Sequence, residues 1–195
     1  MDIFKPQPFH MGIDEVGRGP WAGPVMAAAV IWPEGVPVLE GVTDSKKLSA
    51  KKREILAEQI LNIADVGVGS ATVEEIDRIN IREATFLAME RAVEALKGQP
   101  VFAWVDGNAI PKNLPCASEC VVKGDSKVYT IGCASIVAKV LRDAEMARLH
   151  DIFPHFAWDS NAGYGTKAHQ EGLKVAGVTP HHRRSFAPIR TILQA

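Results

Sequence analysis

Two apolar runs, far apart in the chain, each end in carboxylate and then in a glycine: Met11-Gly-Ile-Asp14-Glu15-Val-Gly17 and Val101-Phe-Ala-Trp-Val-Asp106-Gly107. Runs of this kind read as strands and the glycines as turns, so the acids stand at strand exits. Carboxylates gathered at the ends of core strands repel one another and lose hydration, and such a cluster persists only with a proton or a cation beside it. The economical reading is a divalent-metal site.

Along a regular strand Asp14 and Glu15 point to opposite faces, so both serve one site only if the chain bends there. Gly17 and Gly19 give room for that bend. A fourth acid, Asp125, follows Gly124 after a short stretch around Cys120 to Lys123 that also reads as a strand. Oxygen-only ligands with no nearby cysteine or histidine favour Mg²⁺ or Mn²⁺ over zinc. A pair of such ions about 4 Å apart can activate a water and stabilise the leaving oxygen of a phosphodiester.

The rest of the pattern predicts an α/β layer. Residues 10–15 and 25–32 read as the two strands of a hairpin-like opening. Ser49 caps a helix to Ile63 with Ile55, Leu56, Ile60 and Ile63 on its inner face, and Asp65 to Ala71 returns as a strand. Thr72-Val-Glu-Glu75 fits a capping box for a helix reaching Lys97. Val101 to Val105 suits a strand covered on both faces. From Ile131 to Ile152 runs the strongest helix, with Ile136, Val137, Val140, Leu141, Ala144 and Leu149 as its inner stripe. The 195 residues form one domain, in which 155–195 is a polar, glycine-containing helical and loop appendage that touches substrate.

Composition excludes a few classes. Hydrophobic residues at 47% and charged residues at 23% suit a globular chain, and the longest apolar run, Val25 to Trp32, is too short to span a bilayer. The N-terminus lacks the pattern of a secretory signal, which predicts a cytoplasmic protein, and three cysteines in that setting predict reduced thiols. The net charge of −1 does not exclude nucleic acid, because acids can be concentrated in a metal site while basic residues elsewhere meet phosphates.

Several further groups invite chemistry. Gly17-Arg18-Gly19 lacks the spacing and helix start of a dinucleotide fingerprint. It is either a tight turn or a place where backbone groups approach a sugar closely enough to bond a 2′-hydroxyl. Five basic residues fall between Lys46 and Arg53, just after Ser45, and are either phosphate contacts or a solvated helix face. Tyr164, between two glycines, offers a ring for stacking on a sugar or base. Ser135, Lys139 and Asp143 share one helix face, with Asp143 either standing behind the metal ligands or pairing with Lys139.

Taken together, Asp14-Glu-Val-Gly-Arg-Gly-Pro-Trp-Ala-Gly-Pro-Val25, Asp44-Ser-Lys-Lys-Leu-Ser49, Val105-Asp-Gly107, Lys123-Gly-Asp125, Ala134 to Asp143 and Gly163-Tyr-Gly-Thr166 closely resemble the bacterial ribonuclease HII family. The resemblance runs in order from about residue 10 to about residue 190, with Trp21 standing where the family commonly has a smaller apolar residue. It implies a ribonuclease H-like mixed β-sheet flanked by α-helices, with a small C-terminal helical element. It further implies a metal-dependent endonuclease that cuts the RNA strand of RNA/DNA hybrids and incises 5′ to single ribonucleotides in duplex DNA, leaving 3′-hydroxyl and 5′-phosphate ends. By motif position Asp14, Glu15, Asp106 and Asp125 bind Mg²⁺ or Mn²⁺. Gly17, Arg18 and Gly19 sense the 2′-hydroxyl, Tyr164 packs on the following deoxyribose, and Ser45 and Lys46 lie near the nucleic-acid backbone. A monomer is the default. The rival expectations are a non-catalytic binder of hybrids and a nuclease acting on DNA alone.

Overall fold

β1 (His10–Val16) and β2 (Val25–Ile31) form the antiparallel pair that the opening pattern predicts, with Asp14 opposite Ala28 and Glu15 opposite Ala27. The computed structural model describes residues 3–194. β3 (Asp65–Ala71) pairs antiparallel with β2, while β4 (Phe102–Asp106) and β5 (Ala117–Val121) add in parallel beyond β1, giving a five-stranded mixed sheet ordered β3-β2-β1-β4-β5. The parallel half places the site. With Ile13 opposite Val105, Asp106 at the end of β4 comes beside Asp14 within β1.

Three long helices cover the sheet: α1 (Ala50–Ile63), α2 (Val73–Glu94) and α3 (Tyr129–Ile152). Ser49 caps α1 by accepting from the Lys52 N–H at 3.3 Å. Thr72 and Glu75 close the capping box on α2 at 3.3 and 2.9 Å. Met11, Ile13, Ala103 and Val105 pack beneath Ile76, Ala88 and Met89 of α2. On the opposite face Ala28 and Val30 meet Leu56 and Ile60 of α1 and Ile136 and Val137 of α3. Each large side chain buried in these layers contributes on the order of 1.5–3 kcal/mol.

Several expectations shift once partners are present. The buried face of α1 is Leu56, Ala57 and Ile60, and Ile55 is 49% exposed, because the covering helix reaches only one side of the turn. β4 is not covered on both faces: Ala103 and Val105 are buried, whereas Phe102 and Trp104 are only half covered, by the rings of His10 and Phe4. β5 begins three residues earlier than its apolar stretch suggests and ends at Val121, where left-handed Lys123 turns the chain into a 3-10 turn, Gly124–Ser126. α2 is broken at Asn80 (φ 68°), whose side-chain oxygen accepts from the Arg82 and Glu83 N–H groups and restarts the helix.

Residues beyond α3 form a 3-10 turn (Pro154–Phe156) and three short helices, α4 (Trp158–Asn161), α5 (Lys167–Ala176) and α6 (Ala187–Gln194). They bury Phe156, Trp158, Leu173 and Ile189 against Met146 and Leu149 of α3. The interior stripe at this end of α3 is therefore Arg142, Met146 and Leu149, and Ala144, expected inside, is exposed. His182 and Arg183, which belong to the segment expected to form a polar appendage, are fully buried. The sequence pattern gave no indication of α6.

Candidate active site

Asp14, Glu15 and Asp106 each offer a carboxylate oxygen within 4.8 Å of the others, and no other group of three or more potential metal ligands occurs among the described residues. No bend separates Asp14 from Glu15, because β1 runs through both. Asp14 turns toward α3, where the nearby Ser135 hydroxyl favours its charged form, and it accepts from the Glu15 N–H at 2.7 Å. Glu15 reaches around the strand end, and with Asp106 it lines two adjoining cavities, one toward α3 and one toward α2. Asp106 accepts from the Gly124 N–H at 2.7 Å, which locks the β5 exit against the β4 exit.

The electrostatics suit a cation. Burial, then the charges of Glu15 and Asp106, hold the Asp14 carboxyl well above the usual carboxylate range, and Glu15 is raised for the same leading reason despite relief from Arg18 at 3.5 Å. Three oxygen donors at a sheet edge match the hard-cation chemistry expected of Mg²⁺ or Mn²⁺.

The structure separates Asp125 from this group of three. It lines the same cavity of about 340 Å³, and its carboxyl is raised by burial and by the charges of Asp44 and Asp106. Asp44, which no motif marks as acidic machinery, is thus a fifth acid near the site. Ser45 is 4% exposed and lines the same cavity, and its hydroxyl lies 2.9 Å from that of Ser135, which stands beside Asp14. Lys46 is exposed on the cavity rim. Arg53 turns inward, its Nη1 donating to the Ser45 and Leu48 carbonyls at 3.0 and 2.6 Å. Asp143 pairs with Lys139 at 2.7 Å on the outer side of α3; it reaches the cavity only through that lysine.

Beside the acids, the Gly17 to Pro24 turn is held from within. Gly17 is buried at φ +94°, and a Cβ there would lie 2.1 Å from the Arg142 Nε, so only glycine fits. Arg142 donates to the Pro24, Ala22 and Ala162 carbonyls at 2.9, 3.3 and 3.0 Å. Arg18 and Gly19 are exposed, and the half-exposed Tyr164 ring lies within 3.2 Å of where a Gly19 Cβ would sit. The Tyr164 carbonyl accepts from His169 Nδ1 at 3.0 Å, and His169 Nε2 lies 2.9 Å from His182 Nε2, whose Nδ1 accepts from the Thr179 N–H. That order of donors requires both rings neutral. Burial, followed by the charge of His169, lowers His182 to about 3, and burial also lowers His169. Trp21 staples the turn to this segment through its N–H to the Gly163 carbonyl and its own carbonyl to the Arg183 N–H, both at 2.8 Å.

Comparison with known proteins agrees with this geometry. A model of the ribonuclease HII family matches residues 11–189. The chain is 58% identical to the ribonuclease HII of Jannaschia sp. (strain CCS1) over 182 residues, covering 93% of this chain and 91% of that one. It is 59% identical to that of Paramagnetospirillum magneticum over 181 residues, covering 91% and 90%. The crystal structure of ribonuclease H2 from Pyrococcus horikoshii OT3 superposes with a TM-score of 0.80 at 28% identity, covering 95% of this chain and 97% of that one. Bst-RNase HIII, solved in complex with Mn²⁺, shares the fold with a TM-score of 0.71 at 19% identity, over 95% of this chain and 69% of that one. The mixed sheet with acids at the ends of its parallel strands thus defines the class, a nuclease of ribonuclease H-like architecture. Within that class the chain belongs to the ribonuclease HII family, and it is a type 2 ribonuclease H, a hydrolase of RNA/DNA hybrids. Among the described residues no helix is long and apolar enough to cross a membrane.

Proposed function

We propose that this chain incises 5′ to single ribonucleotides embedded in duplex DNA, besides cutting the RNA strand of hybrids, and leaves 3′-hydroxyl and 5′-phosphate ends. The observation that carries the proposal is the adjacency of the three-carboxylate group to an exposed glycine-flanked turn with a tyrosine ring laid over it. Asp14, Glu15 and Asp106 would hold divalent Mg²⁺ or Mn²⁺, with Asp125 completing the acidic wall. When bound, two such ions supply an activated water and charge stabilisation for displacement at phosphorus. Arg18 and Gly19 present backbone donors to the ribose, where a 2′-oxygen can accept. Tyr164 packs on the sugar of the next nucleotide, and Lys46 on the rim meets a phosphate. Because water is the attacking group, no protein nucleophile is needed, and the 2′-hydroxyl serves recognition alone. We take the protein to act as a cytoplasmic monomer of one domain, in ribonucleotide removal during DNA replication and repair.

The test is incision of a labelled duplex containing one ribonucleotide during a Mg²⁺ or Mn²⁺ titration, beside the same duplex with deoxyribose at the junction. Cutting of both duplexes alike would identify a DNA nuclease, and binding without cutting would identify a non-catalytic binder. Tyr164→Ala is expected to lower cutting at a single ribonucleotide by about tenfold, the cost of one lost stacking contact. Its activity on a continuous hybrid should fall less. Equal losses on the two substrates would count against the stacking role.

A stability measurement probes the metal site separately. With Asp14 and Glu15 raised, the folded ion-free protein binds protons more tightly than the unfolded chain. Stability from these groups is full below the ordinary carboxylate range and is lost as pH rises through their folded values. Calorimetric melting is therefore expected to show a Tm that falls across that window without ions and recovers with Mg²⁺ only above it. A Tm indifferent to Mg²⁺ at pH 8 would contradict the site.

A further inference from the structure

We propose that Arg183, buried in the C-terminal segment, is a positioning residue for 2′-hydroxyl recognition: it draws the Gly17 and Arg18 carbonyls inward and so turns the Arg18 and Gly19 N–H groups outward as a fixed pair of donors. The inference deepens the proposed function, since it rests on the reading that this backbone meets the ribose.

The geometry is specific. Arg183 Nη2 donates to the Gly17 carbonyl at 2.6 Å and Nη1 to the Arg18 carbonyl at 2.9 Å, while Nε and Nη2 share the Gly23 carbonyl at 3.0 and 2.9 Å. In a planar trans peptide the C=O and N–H point to opposite sides. The Gly17 carbonyl shares its peptide with the Arg18 N–H, and the Arg18 carbonyl shares its peptide with the Gly19 N–H. Pinning two successive carbonyls toward the interior therefore aims two successive N–H groups away from it. Burial agrees, because Arg183 is 0% exposed while Arg18 and Gly19 are exposed, and among the described residues neither N–H has an intramolecular acceptor.

A role in stability alone explains this poorly. A buried guanidinium whose bonds all go to neutral carbonyls is costly, and burial together with the nearby Arg142 charge lowers Arg183 to about 9. What the charge provides is polarisation: a peptide whose carbonyl is bonded to a cation becomes a stronger donor at its N–H. Only the planar fork of arginine offers enough donors in fixed directions to hold three carbonyls at once.

Arg183→Lys keeps the charge and loses the fork. In an Asp106→Asn background, which permits binding without cutting, affinities are measured for a duplex containing one ribonucleotide and for the same duplex made wholly of DNA. The Asp106→Asn protein is expected to prefer the ribonucleotide duplex. Adding Arg183→Lys is expected to reduce that preference about tenfold, the scale of one or two misdirected hydrogen bonds, with all-DNA affinity unchanged. A merely structural arginine would weaken both duplexes together, and a preference kept intact by Arg183→Lys overturns the proposal. Absence of any preference in the Asp106→Asn protein alone would instead remove the 2′-hydroxyl reading, and this inference with it. Should the lysine variant fail to fold, Arg183→Gln takes its place in the same comparison, and the backbone amide resonances of Arg18 and Gly19 in the Asp106→Asn protein report whether these N–H groups meet the ribose. They must shift on adding the ribonucleotide duplex and not the DNA duplex, and resonances that respond identically to both overturn the proposal.

Discussion

Asp106→Asn is expected to lower cleavage of an RNA/DNA hybrid by at least about 10³-fold, equivalent to about 4 kcal/mol at the transition state. Affinity for the hybrid should hold. The substitution keeps the shape of the side chain and the acceptor that receives the Gly124 N–H, so the junction of β4 and β5 stays closed. What it removes is one of three negative oxygens that converge within 4.8 Å. With that charge gone, Asp14 and Glu15 repel less, and the ion-free variant should melt higher by about 2–4 °C for each kcal/mol of relief. Loss of activity combined with a gain in stability distinguishes a metal ligand from a structural acid, whose replacement would cost stability. Steady-state cleavage, duplex binding and calorimetry on one preparation supply all three readings, and near-normal turnover in Mg²⁺ would remove Asp106 from the site.

Gly12→Ala should be among the most damaging small substitutions in the sheet, costing more than the roughly 1–3 kcal/mol usual for overpacking. A Cβ at residue 12 would lie 2.2 Å from the Ile131 N and the Thr130 C, which are backbone atoms at the start of α3 that no rotamer change can move. Gly12 precedes Asp14 by two residues on the same face of β1, and Ser135, which stands beside Asp14, lies one turn along α3. Forcing α3 away from β1 would therefore move Ser135 away from Asp14 and loosen the core. Urea denaturation of Gly12→Ala should show a large drop in midpoint, and the folded fraction should cleave hybrids more slowly. A midpoint within experimental error of the parent would mean that α3 does not sit against β1 as described.

Much of this architecture was legible before any coordinates. The exits of β1 and β4 show in the sequence because period-two burial, terminal acid and turn glycine are local signals, and the same holds for the Ser49 cap and the Thr72–Glu75 box. The break in α2 at Asn80 could not be read, since the side chain that caps the second segment replaces only a local hydrogen bond and leaves the apolar spacing intact. Nor could the burial of His182 and Arg183. Two histidines and two arginines in a row read only as a polar segment, and it is the packing of α5 and the Gly17 to Pro24 turn around them that supplies carbonyls and a partner ring in place of water.

By itself, then, the sequence determined which residues carry charge at strand ends, where the chain must turn on glycine, and hence that hard-cation chemistry belongs to this protein. Tertiary structure decided which acids meet. It drew Asp14, Glu15 and Asp106 together, set Asp125 beside them with Asp44, and placed Asp143 outside. The reason is physical: strand exits follow from spacing along one segment, whereas the distance between two carboxylates depends on the parallel register of β1 with β4 and on helices that approach from elsewhere in the chain.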